Sequence, residues 1–263
     1  MNDWHAVTVQ QGHSPVIVSM PHSGTGLTPE VAQGLTAAAA QLPDTDWHIP
    51  ALYQMAQTLG VTSVCANYSR YVIDLNRPLD DAPLYTSPTT GLFPHILFSE
   101  EPLFGPNLAP SQAHREACKT HIWQAYHSAL DAQLQRIKQQ YGYAILLDAH
   151  SIASQVPMLF SGQLPDFNWG THGGKSCPDS LLQLARICVD QSRFSQVSNG
   201  RFKGGYITRH YGQPEQAIYA IQLELGQDTY LQDQGYELSA DKLPHVQAVI
   251  RDLLQGLIAW RPL

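Results

Sequence analysis

Tyr143-Ala144-Ile145-Leu146-Leu147-Asp148-Ala149-His150-Ser151 is the stretch that decides the fold. Its apolar run is too short for a stable isolated helix and too apolar for a surface strand. It predicts a strand over 143–148 that is buried on both faces, as in a parallel sheet. Open α/β sheets carry their sites at the carboxyl ends of strands, so Asp148 and His150 are candidate site residues. In the alternative interpretation, Asp148 caps the next turn and His150 is an ordinary polar residue.

Helical and extended patterns alternate on both sides of this strand, without repeats or a break in composition. Such alternation is typical of one α/β domain, which we expect over residues 1–263. The apolar spacing predicts strands at 15–20, 61–66, 157–160 and 217–225, and helices at 29–40, 49–59, 111–140, 179–191 and 241–259.

Residues 80–110 show little periodicity and are rich in Pro, Gly and Asp, which predicts a long irregular loop. We expect the loop to be ordered and packed over the cleft, because it contains the apolar residues Leu84, Tyr85, Leu92, Phe93, Ile96, Leu97 and Phe98.

The chain has 263 residues and a formal net charge of −7. The acidic balance argues against nucleic acid or an anionic membrane as the main partner, since both require a basic face. It still allows a local basic pocket for a small anionic substrate.

Four cysteines lie far apart without a CxxC pattern, which predicts reduced thiols rather than a disulfide framework. Neither a signal peptide nor an apolar run of roughly 20 residues is visible, so we expect a cytoplasmic protein.

Three predicted strands carry a side chain that can bind metal or transfer a proton near their carboxyl ends. His22 follows the strand at 15–20, His150 follows the strand at 143–148, and Glu224 lies near the end of the strand at 217–225. Asp46, before a predicted helix, adds a second carboxylate, although an Asp at a helix start is commonly only a cap. Two imidazoles and one carboxylate are a usual ligand set for catalytic zinc, and the other carboxylate is available as a base.

Three of the 15 basic residues, Arg70, Arg77 and Arg209, fall in loops rich in Asn, Gly or Tyr. Arginine binds carboxylates through two parallel hydrogen bonds, so a dicarboxylate substrate would suit these residues. Each could instead form a structural ion pair with an acid such as Asp74 or Asp81.

Five segments together resemble the N-formylglutamate deformylase (amidohydrolase) family, within the superfamily that contains zinc carboxypeptidases and aspartoacylase. The resemblance runs in order from about residue 15 to 232. The most specific of its segments is Ser69-Arg70-Tyr71-Val72-Ile73-Asp74-Leu75-Asn76-Arg77-Pro78. The others are Pro21-His22-Ser23-Gly24, Asp44-Thr45-Asp46-Trp47-His48, Asp148-Ala149-His150-Ser151 and Gln222-Leu223-Glu224-Leu225.

This resemblance implies a phosphorylase/hydrolase-like fold, a three-layer sandwich with a mixed, largely parallel central sheet. It implies a metal-dependent hydrolase with one Zn²⁺ per chain, which converts N-formyl-L-glutamate to formate and L-glutamate as the last step of a histidine degradation route. An alternative is a zinc amidohydrolase that acts on another N-acyl amino acid or a small peptide.

The resemblance also implies roles for individual residues. His22 and His150 match the histidine ligands, Glu224 the general base, and Arg70 an arginine that polarises the scissile carbonyl. Asn76 and Arg77 match binders of the substrate carboxylate, and Arg209 is a candidate for a second carboxylate clamp. Asp148 is expected to orient His150 rather than to bind metal.

The chain departs from the superfamily pattern at the first ligand motif. In carboxypeptidases and aspartoacylase this motif is His-x-x-Glu, whereas Thr25 stands three residues after His22 here. The carboxylate ligand must therefore come from elsewhere, with Asp46 as the first candidate and Asp44 as the second. A metal-free serine hydrolase using Ser151 is a further alternative, although the G-x-S-x-G motif is absent.

Overall fold

A computed structural model of the chain describes residues 4–84 and 89–262, which contain one seven-stranded sheet. Its strands in chain order are β1 (Val7–Gln10), β2 (Val16–Met20), β3 (Thr62–Ala66), β4 (Ala144–Ile152), β5 (Phe167–Gly170), β6 (Gln196–Ser198) and β7 (Ile218–Gly226). They lie side by side in the order β1-β3-β2-β4-β7-β5-β6. Four neighbouring pairs are parallel, while β1 with β3 and β5 with β7 are antiparallel. The prediction of a mixed, largely parallel sheet is confirmed.

Helices cover both faces of the sheet, so the fold is a three-layer sandwich with the sheet in the middle. They are α1 (Pro29–Gly34), α2 (Ile49–Leu52), α3 (Gln112–Cys118), α4 (Gln124–Tyr141), α5 (Asp179–Asp190), α6 (Tyr206–Tyr211) and α7 (Leu243–Ala259). One apolar core joins the sheet to α2, α5 and α7, and a second core joins its other face to α1, α3, α4 and α6. Single 3₁₀ turns occur at Ala39–Gln41, Gln54–Ala56, Pro214–Gln216 and Gln227–Thr229.

Every residue of β4 is buried, as the apolar run predicts. Ile145 and Leu147 enter one core, whereas Ala144 and Leu146 enter the other, because successive side chains of a strand point to opposite faces. The strand is longer than predicted: it pairs with β7 as far as Ile152. His150 therefore lies within the strand rather than in the loop that follows it.

A π-helical turn, Lys119–Trp123, lies between α3 and α4 within the segment predicted as one helix at 111–140. Such turns insert one extra residue and shift the direction of the side chains that follow. The shift matters for the site, because Trp123 and His127 face the segment at 74–77.

Several predicted elements differ from the structure. The helix at 29–40 ends at Gly34, since Leu35 has an extended backbone with φ −61° and ψ 142°. The helix at 49–59 consists of α2 and a 3₁₀ turn. The strand predicted at 157–160 is wrong: the N–H groups of Leu159 and Phe160 both bond to the carbonyl of Val156 and close a turn. Four short elements, each three to six residues long, were not predicted from the sequence: β1, β5, β6 and α6.

The loop at 80–110 has no helix or extended ladder among its described residues, and Leu92 and Leu97 are buried within it. Tyr85 lies outside the described residues. None of the helices in the described ranges is long and apolar enough to cross a membrane. That residues 1–263 form one domain stays a prediction.

Candidate active site

The site lies at the carboxyl ends of β2 and β4, where the order of the strands reverses. β3 follows β2 in sequence and lies on one side of it, whereas β4 lies on the other side. Open α/β sheets bind ligands in the crevice at such a point. β2 pairs with β4 only as far as Ser19 and Asp148, and β4 then continues beside β7. The rings of His22 and His150 meet here, with centroids 4.9 Å apart.

His22 is held by a buried carboxylate. Its Nε2 lies 2.7 Å from Oδ1 of Asp74, whose Oδ2 accepts a hydrogen bond of 2.9 Å from Nη2 of Arg70. The other ring nitrogen, Nδ1, is 3.8 Å from Oδ2 of Asp46. Burial lowers the pKa of His22, and Arg70 lowers it further, against the opposing effects of Asp74 and Asp46. The imidazole is therefore neutral at pH 7, as metal binding requires.

His150 has the same arrangement. Its Nε2 lies 3.2 Å from Oδ1 of Asp148, and its Nδ1 lies 3.0 Å from Oδ2 of Asp46. The hydroxyls of Ser19 and Thr208 donate to Asp148 at 3.2 Å and 3.1 Å and fix its carboxylate. Burial disfavours a protonated His150, but Asp148 and Asp46 outweigh it and raise its pKa well above the ordinary value. The space beside this imidazole thus favours a positive charge.

His22, Asp46 and His150 form a group that could hold a metal ion, since one donor atom of each lies within 4.8 Å of the others. Nε2 of His22 contacts Asp74, and Nε2 of His150 contacts Asp148. The Nδ1 atoms of both histidines point toward Asp46. This is the arrangement by which carboxylates fix the tautomer and the ring orientation of histidine ligands. Two imidazoles and one carboxylate fit a catalytic zinc ion, which keeps a further position for water.

Of the two candidate carboxylates, the structure brings Asp46 rather than Asp44 to this point. Oδ2 of Asp46 also accepts the backbone N–H of Ser151 at 3.2 Å. Asp44 turns away, and its Oδ2 accepts the backbone N–H of Phe98 at 3.1 Å. The role of Asp46 as a metal ligand stays a prediction.

Glu224 lies directly opposite His150 in the parallel register of β4 and β7. It is 6% exposed, and its Oε2 accepts a hydrogen bond of 3.2 Å from Nε2 of Gln222. Burial raises the pKa of Glu224 to about 8, although His150 acts in the opposite direction. A carboxyl group with a pKa near the working pH can both accept and donate a proton.

A central cavity of about 60 Å³ lies between Glu224 and three arginines, Arg70, Arg77 and Arg201. Arg77 donates to the hydroxyl of Thr89 at 2.6 Å, to the carbonyl of Thr90 at 2.8 Å and to the carbonyl of Asn76 at 2.9 Å. Nε of Arg201 donates to the carbonyl of Leu159 at 2.6 Å. The guanidinium groups of Arg77 and Arg201 are thus anchored to backbone carbonyls beside the cavity.

Asn76 also lines the central cavity, but its amide is engaged within the protein. Oδ1 accepts the N–H of Ile207 at 2.8 Å, and Nδ2 lies 3.1 Å from Nε2 of His150. Gly205 packs so closely on this amide that a Cβ atom there would collide with it. The glycine-rich segment at 199–212 therefore brings the backbone against Asn76.

Arg209 does not line the central cavity. Its guanidinium donates to the carbonyls of Gly204 at 2.8 Å and Leu84 at 2.9 Å. Its role as a carboxylate clamp stays a prediction, and Arg201, from the same glycine-rich segment, has the position that this role requires.

Sequence reasoning missed Asp74, Gln222 and Arg201 as site residues. Asp74 is two positions before Asn76 in the most specific segment, and Gln222 is two before Glu224 on the same face of β7, so spacing was an available signal. Arg201 carried no signal beyond its glycine-rich surroundings.

Two side chains, one at the end of the π-helical turn and one on α4, hydrogen-bond to the backbone of the segment at 74–77. Nε1 of Trp123 donates to the carbonyl of Arg77 at 2.9 Å. Nε2 of His127 lies 2.9 Å from the carbonyl of Leu75, and its Nδ1 lies 2.9 Å from the hydroxyl of Tyr211. Trp123 and His127 are therefore positioning residues for the segment that carries Asp74, Asn76 and Arg77.

Ser151 lacks the surroundings of a nucleophile. Its Oγ is hydrogen-bonded to the hydroxyl of Tyr230 at 2.7 Å and to Nε2 of Gln227 at 3.3 Å. No imidazole is recorded as its partner within the described ranges. These contacts disfavour the serine-hydrolase alternative, since an activated serine needs an adjacent base.

Comparison with known proteins gives matches along most of the chain. The profile of the family described as N-formylglutamate amidohydrolase matches residues 14–231. N-formylglutamate deformylases of Pseudomonas aeruginosa and Pseudomonas putida are 51% and 50% identical to this chain over 256 residues, which cover 97% of this chain and 96% of each relative.

Two solved structures share the fold. An N-formylglutamate amidohydrolase from Ralstonia eutropha JMP134 superposes with a TM-score of 0.82 at 21% identity and covers 96% of both chains. A gene product of Agrobacterium tumefaciens superposes with a TM-score of 0.73 at 15% identity, covering 96% of this chain and 94% of that one.

Proposed function

The chain belongs to the N-formylglutamate amidohydrolase family, and from this premise we propose that it hydrolyses N-formyl-L-glutamate to formate and L-glutamate. One observation carries the proposal: Glu224 and the His22–Asp46–His150 group lie beside the same cavity as Arg77 and Arg201. A metal-assisted hydrolytic centre next to two cations suits an amide substrate with two carboxylates.

His22, Asp46 and His150 would hold one Zn²⁺ ion per chain. When bound, zinc supplies a Lewis acid that lowers the pKa of a coordinated water to about 7. Asp74 and Asp148 keep the Nδ1 atoms of the two histidines directed toward Asp46, so the ligands are oriented before the ion arrives.

Glu224 acts as the general base and then as the general acid. It accepts a proton from the attacking water and delivers that proton to the nitrogen of the leaving glutamate. One residue therefore serves both proton transfers. Its burial and its raised pKa, about 8, support both transfers near neutral pH.

Arg70 stabilises the negative charge that develops on the formyl oxygen. Its side chain is 8% exposed and is fixed by Asp74, so it is preorganised in a place from which water is largely excluded. Arg77 and Arg201 bind the two glutamate carboxylates, and Asn76, which lines the same cavity, contributes the second N–H of its amide nitrogen. Binding energy remote from the reacting bond then positions the formyl group.

We further propose that the reaction is the last step of a histidine degradation route and takes place in the cytoplasm. A strain that lacks this chain is expected to accumulate N-formylglutamate when histidine is its nitrogen source.

The proposal is tested by measuring formate release from N-formyl-L-glutamate together with the metal content of the same sample. We expect about one zinc per chain, loss of turnover after treatment with a chelator, and recovery on adding zinc back. N-acetyl-L-glutamate, assayed in parallel, distinguishes a deformylase from a general amidohydrolase.

Turnover that survives complete metal removal would exclude the metal-dependent mechanism. Absence of formate release from a zinc-loaded sample, with rapid cleavage of another N-acyl amino acid, would favour the alternative substrate class.

A further inference from the structure

A second cavity of about 290 Å³ lies next to the central cavity. Both cavities are lined by Phe98, Ser151 and Ile152. Phe98 comes from the loop at 80–110, and Ile152 is the last residue of β4. We name the side chains of Phe98 and Ile152 the dividing wall.

The dividing wall borders both cavities, whereas the residues that would bind the amino-acid part of the substrate border only the central one. Asn76, Arg77 and Arg201 line the central cavity and do not line the second one. In a trans amide, the acyl substituent and the Cα atom lie on opposite sides of the C–N bond. A substrate whose carboxylates bind Arg77 and Arg201 therefore directs its acyl substituent to the other side of its amide bond from the carbon that carries them.

The central cavity is small, about 60 Å³. A formyl group carries only a hydrogen at this position, whereas acetyl and longer groups carry carbon atoms, which need space beyond a cavity that Phe98 and Ile152 line. Phe98 is held by its backbone N–H bond to Asp44 and by its ring, whose centroid lies 4.9 Å from the Arg70 guanidinium carbon. Ile152 is 6% exposed and packs in a local apolar cluster with Val156 and Leu164.

We infer that Phe98 and Ile152 determine the selectivity for the formyl group, and that the second cavity accepts a longer acyl chain once the wall is opened. The inference rests on the proposed function. The lining beyond the wall suits an alkyl chain, because it includes Val156 and Pro157 as well as the wall itself. A volume of about 290 Å³ exceeds by far the roughly 30 Å³ that one water occupies in the liquid.

The test compares kcat/KM for N-formyl-, N-acetyl- and N-butyryl-L-glutamate in the zinc-loaded full chain. Phe98→Ala is expected to raise the ratio of butyryl to formyl activity at least about tenfold, the smallest effect of one methylene group in a fitted pocket. The ratio is used because loss of the ring also removes its contact with Arg70 and lowers activity on every substrate.

Gln155→Trp provides the matched control, since Gln155 is exposed and lines the second cavity but not the central one. Alone, it is expected to leave formyl hydrolysis unchanged. In the double variant with Phe98→Ala, it fills the opened space and returns the butyryl-to-formyl ratio toward the wild-type value. Ile152→Ala opens the wall from the strand side and should also raise the ratio.

Unchanged ratios in both Phe98→Ala and Ile152→Ala would overturn the inference, as would a wild-type enzyme that cleaves the butyryl substrate as fast as the formyl one. A raised ratio that Gln155→Trp does not reverse would exclude the second cavity as the site that accepts the longer acyl group. Failure of the wild-type enzyme on N-formylglutamate itself would instead contradict the proposed function.

Discussion

Oδ1 of Asp74 lies 2.7 Å from Nε2 of His22. Through its other oxygen, the same carboxylate binds Arg70 at 2.9 Å. One buried side chain thus sets the orientation of a predicted metal ligand and of the arginine predicted to stabilise the oxyanion. The pKa of Asp74 is held well below its ordinary value: burial raises it, but His22, Arg77 and Arg70 lower it more.

Asp74→Asn is expected to weaken metal affinity about 10–100-fold, because the amide orients the imidazole of His22 less strongly than a carboxylate does. Competition with a chromogenic chelator measures the affinity. Arg70→Gln is the comparison: it leaves a carboxylate on His22, so it should lower kcat by a larger factor than it weakens metal binding. Equal affinities for Asp74→Asn and the wild type would contradict this role of Asp74.

Glu224→Gln keeps the shape of the side chain and removes its ability to accept a proton. We expect kcat to fall by about 10²–10⁴ with metal content unchanged, as for loss of a general base. Steady-state kinetics and metal analysis on one preparation provide the test. Turnover close to the wild-type rate would exclude Glu224 from proton transfer.

Arg201→Met is expected to lower kcat/KM for N-formylglutamate by at least about tenfold, mainly through KM, since a charged partner of a substrate carboxylate is removed. Arg209→Met is the comparison, because Arg209 does not line the central cavity and should have the smaller effect on KM. The reverse order of effects would assign the second carboxylate clamp to Arg209.

Trp123→Phe keeps the aromatic ring and removes the N–H that binds the carbonyl of Arg77. We expect a loss of about 1 kcal/mol in the free energy of unfolding and a rise in KM, because Arg77 is less well placed. Trp169→Phe breaks a bond of the same length, 2.9 Å to Gln196, and is expected to reduce stability without raising KM. An equal change of KM in the two variants would contradict the positioning role of Trp123.

His127 makes the folded state sensitive to acid. Burial lowers its pKa to about 3, whereas in the unfolded chain it titrates near 6.5. Between these values the unfolded state binds more protons, so stability is full above about pH 6.5 and falls as the pH drops, by about 2 kcal/mol at pH 5. His127→Gln should remove this part of the difference between denaturation free energies at pH 8 and pH 5. The same pH dependence in the variant would show that His127 does not contribute.

Much of the fold could be predicted from the sequence, because long apolar or amphipathic segments have an unambiguous period. The run at 143–148 has side chains in both cores, and the stripe on α4 is buried against the sheet. Short elements could not be predicted in this way. The four residues of β5 are extended because they pair with β7. Their strand character therefore depends on tertiary contacts rather than on local sequence.

The placement of His22, His150 and Glu224 beside one cavity could be predicted, because each lies at or near the carboxyl end of a strand. The choice between Asp46 and Asp44 could not, because the two are adjacent to the same turn and only the hydrogen bond of Asp44 to Phe98, 54 positions away, separates them. Arg201 and Phe98 likewise reach the cavity through loops, whose course no periodicity determines.

The position of β7 in the sheet has a consequence for biosynthesis. β7 is the last strand to leave the ribosome, yet it lies between β4 and β5. Until residues 218–226 emerge, β5 and β6 have no edge of the sheet to join, and β4 is unpaired along one side. The nascent chain therefore has all three predicted metal ligands, at positions 22, 46 and 150, well before it has the strand that supports His150.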